Sequence, residues 1–73
     1  MGTSLEEVVF IVEEAPEGGY TARALGVSIV TEANDLEGLR RHVIDAVRCH
    51  FADAPGHPRL IRLHLVKDEV LTT

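Results

Sequence analysis

The stretch NDLEGLRRHVIDAVRCHF, residues 34–51, is the long helix signal of this 73-residue chain. At 100° per residue, its apolar side chains fall on one stripe and its polar side chains and a glycine fall opposite. The stripe holds Leu36, Leu39, Val43, Ala46 and Val47, with Ile44 and Phe51 at its edges, and the opposite side holds Gly38, Arg41, His42, Asp45 and Arg48. We therefore predict an amphipathic helix that covers one face of the remaining structure.

Both ends of this helix carry the expected end signals. Asn34 is predicted to cap it by accepting a hydrogen bond from the backbone N–H of Glu37, whose side chain reaches back in a capping box. Asp35 and Glu37 lie at the positive end of the helix dipole, and Arg48 and His50 lie at its negative end.

Four short segments around the helix have the composition of β-strands. Residues 8–12, VVFIV, form a continuous β-branched run, which is typical of a strand buried on both faces and therefore central in its sheet. Residues 20–25 alternate in polarity, residues 27–31 follow as a third strand, and residues 59–66 form a fourth after the helix.

Turn residues separate these segments. Residues 15–19, APEGG, place Pro and Gly where a tight turn needs them, and Gly26 permits a second reversal. Residues 54–58, APGHP, end the helix and form a loop. Residues 1–4 are expected to fray.

The order β-β-β-α-β restricts the topology. Two hairpins make the first and third strands run the same way, and a right-handed helical crossover favours a fourth strand parallel to the first and beside it. We predict a single α+β domain spanning residues 1–73, with a four-stranded mixed sheet of order 3-2-1-4 and one helix on one face.

Composition limits the partners that this chain can have. The formal net charge is −5, which argues against non-specific nucleic-acid binding and suits a basic protein partner. The longest apolar run has five residues, so we expect no membrane span and a cytoplasmic protein. The core is thin and one sheet face stays uncovered, which favours a homo-oligomer such as a dimer, or a bound partner.

Residues of the last strand are candidates for an interaction site. Leu60, Arg62, His64 and Val66 alternate along that strand and share one face, whereas Ile61, Leu63 and Leu65 share the other. Two interpretations remain open. The charged positions protect an edge strand from aggregation, or the four residues form a mixed apolar and basic contact surface for a second copy or a partner.

No residue pattern names a reaction, and we predict no catalytic residue, metal site or cofactor. Cys49 is the one cysteine, so there is neither a disulfide nor a CxxC pair, and its place near a helix C-terminus opposes thiolate formation. Cys49, His50, His57 and His64 lack the tight spacing of structural zinc ligands. A two-metal nuclease would need carboxylates on the central strand, where this chain has VVFIV.

The chain resembles the HicB-like antitoxin family over residues 8–66. Gly18-Gly19-Tyr20 reproduces the family's motif after the first turn, and Asn34-Asp35-Leu36-Glu37 matches its helix start, with Asp35 where the family has Thr. The resemblance implies a three-stranded meander, one helix and a closing strand, a truncated relative of the ribonuclease H fold.

Two departures from the family pattern bear on function. The family's Pro-Gly-rich loop between the second and third strands is reduced here to Leu25-Gly26. The DNA-binding helix-turn-helix or ribbon-helix-helix segment that many members carry does not follow residue 66, so we expect no operator binding by that route.

The resemblance implies a small non-enzymatic interaction module that masks a small basic toxin ribonuclease. The alternative is a stand-alone homodimeric domain with a regulatory or ligand-binding role. An enzymatic function, as a hydrolase or nuclease, is the third hypothesis.

Overall fold

The sheet and helix follow the predicted order along the chain. In the computed structural model, which describes residues 7–52 and 58–73, the elements are β1 (Glu7–Glu14), β2 (Tyr20–Ala24), β3 (Val30–Ala33), α1 (Leu36–His50) and β4 (Leu60–Val66). They form one mixed sheet with the strand order β3-β2-β1-β4, which confirms the α+β class and the 3-2-1-4 topology. The predicted frayed start, residues 1–4, lies outside the described residues, as do residues 54–57 of the predicted loop at residues 54–58, with His57.

The strand pairing follows from the connections. β1 is antiparallel to β2, and β2 is antiparallel to β3, because short turns join them. β1 is parallel to β4 because α1 carries the chain back across the sheet before β4 begins. The most apolar strand is therefore an inner strand, as predicted.

The core lies between α1 and one face of the sheet. Phe10 is fully buried there and packs in one cluster with Leu39 and Val43 of the helix. The buried apolar side chains are Val8, Phe10, Val12, Ala22, Ala24, Ile29, Leu39, Val43, Val47 and Phe51. Each large member contributes roughly 1.5–3 kcal/mol through burial, so this cluster is the main source of the domain's stability.

The first turn forms where Pro and Gly predicted it. The N–H of Gly18 donates to the carbonyl oxygen of Ala15 over 3.0 Å, and the N–H of Ala15 donates to the carbonyl oxygen of Gly19 over 2.9 Å. Gly19 has a φ of 85°, and a Cβ there would lie 2.8 Å from the carbonyl oxygen of Ala33. This glycine therefore serves both the turn and a close approach to the end of β3.

The predicted capping box is wrong by one residue. Asp35, not Asn34, is the N-cap, and its Oδ1 accepts a 2.7 Å hydrogen bond from the N–H of Gly38. A carboxylate is the stronger acceptor at the positive end of the helix dipole, which favours Asp35. With the cap at Asp35, the third helical position is Gly38 rather than Glu37, so Glu37 cannot close the box.

Gly38 is buried, although the helical wheel placed it on the polar side. A Cβ on this residue would lie 3.0 Å from Oδ1 of Asp35 and 3.5 Å from Cβ of Ala33. The cap and the end of β3 therefore cover this position, which the wheel does not take into account.

The third strand begins at Val30, three residues later than predicted. The N–H of Ala24 donates to the carbonyl oxygen of Ile29 over 3.0 Å, which closes residues 25–28 into a loop. Ile29 is buried in the core before the strand starts. Burial of Ile29 and the positive φ of Gly26 account for the longer reversal.

Candidate protein-interaction surface

The sheet face opposite α1 carries the candidate surface, which we call the open face. The strand register assigns its members, because residues paired across strands share a face. They are Glu7, Val9, Ile11 and Glu13 of β1, Thr21 and Arg23 of β2, Val30 and Glu32 of β3, and Leu60, Arg62, His64 and Val66 of β4. In the described part of the chain, residues 7–52 and 58–73, α1 packs against the other face of the sheet.

All four residues predicted from the last strand lie on the open face. Leu60 is 61% exposed, and Arg62, His64 and Val66 are also exposed. The strand register sets Arg62 beside Val9 and His64 beside Ile11. The predicted residues are thus one edge of a wider surface that extends over the whole sheet.

Val9 and Ile11 form the apolar centre of the open face. Both are half-buried, whereas Val8, Phe10 and Val12 on the same strand are buried beneath the helix. The prediction that β1 is buried on both faces is therefore right for one face only. The continuous run VVFIV concealed this difference, and the strand order together with period-two alternation could have revealed it.

Charges of both signs surround this centre. Nε of Arg62 donates to Oε2 of Glu7 over 2.6 Å, an ion pair between diagonal neighbours of β4 and β1. Both side chains remain accessible to water, so the pair contributes about 0–1 kcal/mol to stability. Glu13 and Glu32 also lie on this face, so the surface is less basic than the last strand alone predicted.

His42 has a structural contact that its sequence position did not indicate. The sequence placed it on the polar side of the helix, where it is indeed exposed. Its Nδ1 lies 2.7 Å from the carbonyl oxygen of Glu32, to which the ring N–H can donate. This contact ties α1 to β3 on the covered side of the sheet, and no local motif encodes such a pairing of distant residues.

The described residues bring few reactive side chains together. Cys49 is exposed on the last turn of α1, and the ring of His50 packs edge-on against Phe51 at a centroid distance of 4.9 Å. Within residues 7–52 and 58–73, no three His, Cys, Asp or Glu side chains are grouped so that they could hold a metal ion. No helix in the described part of the chain is long and apolar enough to cross a membrane.

These features define a small α+β fold in which α1 covers one sheet face and no other element of residues 7–52 and 58–73 covers the second. The chain belongs to the UPF0150 family. It is 54% identical over 52 residues to the UPF0150 protein of Archaeoglobus fulgidus, an alignment that covers 71% of this chain and 77% of the relative. It is 38% identical over 63 residues to the UPF0150 protein of Thermotoga maritima, and this alignment covers 86% of this chain and 87% of the relative. No family model and no solved structure matches the chain.

Proposed function

We propose that the protein is a small, non-enzymatic, cytoplasmic interaction module of the HicB-like antitoxin type. Its open face binds a small basic protein, such as a toxin ribonuclease, and masks that protein's active surface. The half-buried apolar centre formed by Val9 and Ile11 is the observation that carries this proposal. A partner seated there would complete the burial of the inner strand.

The composition of the open face supports protein recognition. Interfaces place apolar groups at the centre and polar groups at the rim. Here Val9 and Ile11 are central, while Arg23, Arg62 and Glu13 lie around them. Buried centres supply most of the binding energy, whereas rim charges mainly set specificity and the rate of association.

The net charge of −5 supports a basic partner. Complementary charge raises the rate of encounter through long-range attraction, and salt screens that attraction over about 8–10 Å. Rapid capture suits a protein whose task is to neutralise a toxic partner before that partner acts.

Co-expression tests the masking role directly. A short basic protein encoded beside this chain's gene is expected to stop growth when expressed alone and to permit growth when both are expressed. The two proteins should co-purify, and the association rate should fall as salt rises. Toxicity that this chain does not relieve, or the lack of a complex between the purified proteins, contradicts the proposal.

A pair of charge-reversal variants tests whether the open face is the binding surface. Glu13→Lys with Glu32→Lys reverses two of the three acids on that face and leaves Glu7, which pairs with Arg62, unchanged; Glu17→Lys with Asp45→Lys makes the same change of net charge elsewhere on the exposed surface. We expect the first pair to weaken binding at least about tenfold more than the second. Equal effects would indicate that net charge, and not the open face, governs binding.

The stand-alone homodimeric domain is the second candidate function. It shares the uncovered sheet face with the antitoxin proposal but requires no toxic neighbour. Formation of a complex with a basic partner distinguishes the two, because only the antitoxin role predicts one.

A further inference from the structure

β4 forms an edge of the sheet along all seven of its residues, Leu60–Val66. In a parallel pair, about half of a strand's backbone N–H and C=O groups point away from its neighbour. The described residues contain no strand that pairs with this outer edge. At the opposite edge of the sheet, β3 has four residues and therefore offers a shorter row of such groups.

The side chains of β4 do little to protect this edge. Natural edge strands are blunted by charges, prolines, bulges or short length. β4 carries two basic residues, Arg62 and His64, and the other five are Leu, Ile or Val. Leu60 is 61% exposed and Leu65 is 54% exposed. A long apolar edge of this kind is expected to bind another strand.

A groove beside β4 leaves the same edge open on the helix side. α1 packs chiefly against β2 and β3, which displaces it from β4. The resulting groove has a volume of about 280 Å³ and is lined by Arg40, Val43, Ile44, Ile61 and Leu63. Ile44 of the helix is exposed beside it. An incoming strand would therefore meet apolar side chains as well as backbone groups.

We propose that a second copy of this chain covers the edge, with β4 of one copy pairing antiparallel to β4 of the other around Leu63. The occupant must offer an extended segment with free backbone groups and a matching apolar pattern, and β4 meets both requirements itself. A two-fold axis at Leu63 sets Leu60 opposite Val66, Ile61 opposite Leu65 and Arg62 opposite His64 of the other copy. The charge of Arg62 is offset by its ion pair with Glu7 of the same copy. The odd-numbered residues of β4, which share the helix side of the sheet, then lie opposite odd-numbered residues of the other copy. Both helices therefore lie on the same side of a continuous sheet.

The segment after β4 supports a second copy as the occupant. Residues 67–73 have no regular structure, and Val70 and Leu71 within them are almost fully exposed. In the antiparallel arrangement, this segment of each copy runs alongside the other copy.

The arrangement goes beyond the proposed function, because it uses the edge and leaves the open face accessible. Two copies joined through β4 form an eight-stranded sheet with two open faces on the same side. Such a dimer would present two binding surfaces to a partner that is itself dimeric, which raises affinity through avidity.

Molecular mass over a range of concentrations tests the proposal. We expect the full chain to reach about 16 kDa, twice the 8.0 kDa of one copy, by sedimentation or light scattering. Leu65→Lys adds a charge to the β4 edge and should weaken self-association at least about tenfold. The matched control is Val30→Lys, because Val30 is also exposed and apolar but lies on β3 and on the open face.

Two results would overturn this inference. One is a mass that stays at 8.0 kDa at every concentration. The other is a dimer that Val30→Lys dissociates and Leu65→Lys leaves intact, which would place the contact on the open face. Binding of a basic partner is measured separately, so failure of the dimer and failure of the masking role are distinguishable.

A cross-link tests the arrangement around Leu63. In a Cys49→Ser background, Leu63→Cys is expected to form an intermolecular disulfide on mild oxidation, because opposed residues of antiparallel strands have Cβ atoms about 4.5–5.5 Å apart. Ile61→Cys in the same background is the control, since it would face Leu65 and not itself. Equal cross-linking at both positions would contradict the proposed pairing.

Discussion

The two faces of one sheet differ in burial, although the same strand supplies the centre of each. Val8, Phe10 and Val12 of β1 are buried under α1, while Val9 and Ile11 on the reverse side are only half-buried. The residues are similarly apolar, so their environment and not their composition separates them. Alternation along one strand thus supplies a folding core on one face and a half-exposed apolar centre on the other.

Truncation of β1 on each face should give the largest contrast. Phe10→Ala removes a side chain that is 0% exposed and is expected to destabilise the domain by about 3–5 kcal/mol. Because domains of this size have about 3–5 kcal/mol of stability, the variant should be largely unfolded by circular dichroism. Ile11→Ala on the open face should retain the fold and lose about 1–2 kcal/mol by urea denaturation. Equal losses would mean that the two faces are equally buried in solution.

Two turn glycines provide a further test of how the faces are assigned. A shift of one residue in the pairing of a hairpin would move each side chain of the shifted strand to the opposite face of the sheet. Gly19 and Gly26 have similar φ values of 85° and 87°, but a Cβ would meet the carbonyl oxygen of Ala33 at Gly19 and nothing within 4 Å at Gly26. Gly26→Ala should cost about 1 kcal/mol from backbone strain. Gly19→Ala should cost about 2–3 kcal/mol, because the close contact adds to that strain. Thermal unfolding of both variants checks the order, and a larger loss at Gly26 would contradict the close approach.

The N-cap provides a smaller test on the covered side. Asp35→Ala removes the acceptor for the N–H of Gly38 and should destabilise the domain by about 1 kcal/mol. Asn34→Ala is the matched control and should change stability by less than about 0.5 kcal/mol. The free energy of unfolding in urea measures both. A greater loss of stability in Asn34→Ala than in Asp35→Ala would indicate that Asn34 is the N-cap, as the sequence predicted.

The ion pair on the open face should show the smallest effect. Arg62→Met keeps the length of the side chain and removes its bond to Glu7, at an expected cost of less than about 1 kcal/mol. A double-mutant cycle with Glu7→Gln isolates the coupling energy, which should fall further as salt rises. A coupling above about 2 kcal/mol would mean that the open face is shielded from water.

Much of the fold could be predicted because strong local signals agreed with one topological rule. The apolar run at residues 8–12 indicated a central strand, and the right-handed crossover rule placed the last strand beside it. The turn at residues 15–19 formed at the predicted place, since Pro and Gly determine such turns through their own backbone geometry.

The errors occurred where distant residues decide the local structure. Asp35 replaced Asn34 as the N-cap, and Gly38 became buried because Ala33 of β3 lies against the start of the helix. The third strand begins at Val30 and not at Val27, because Ile29 is buried in the core. None of these outcomes depends on local propensity alone.

The candidate surface was predicted only at one edge. Alternation along the last strand grouped Leu60, Arg62, His64 and Val66, and the structure sets them together on the open face. The sequence interpretation missed its centre at Ile11, because a continuous apolar run does not by itself reveal which side chains the helix leaves uncovered.

The parallel pairing of β1 with β4 also determines when the sheet can be completed. Glu7 pairs with Leu60 and Glu13 with Val66, so each contact joins positions separated by most of the chain. Such non-local contacts slow folding, because a long loop must close before they form. β4 is also the last of these five elements in chain order, so β1 acquires its second neighbour only after the other four have left the ribosome. A product that ends before Leu60 would therefore have β1 as an edge strand.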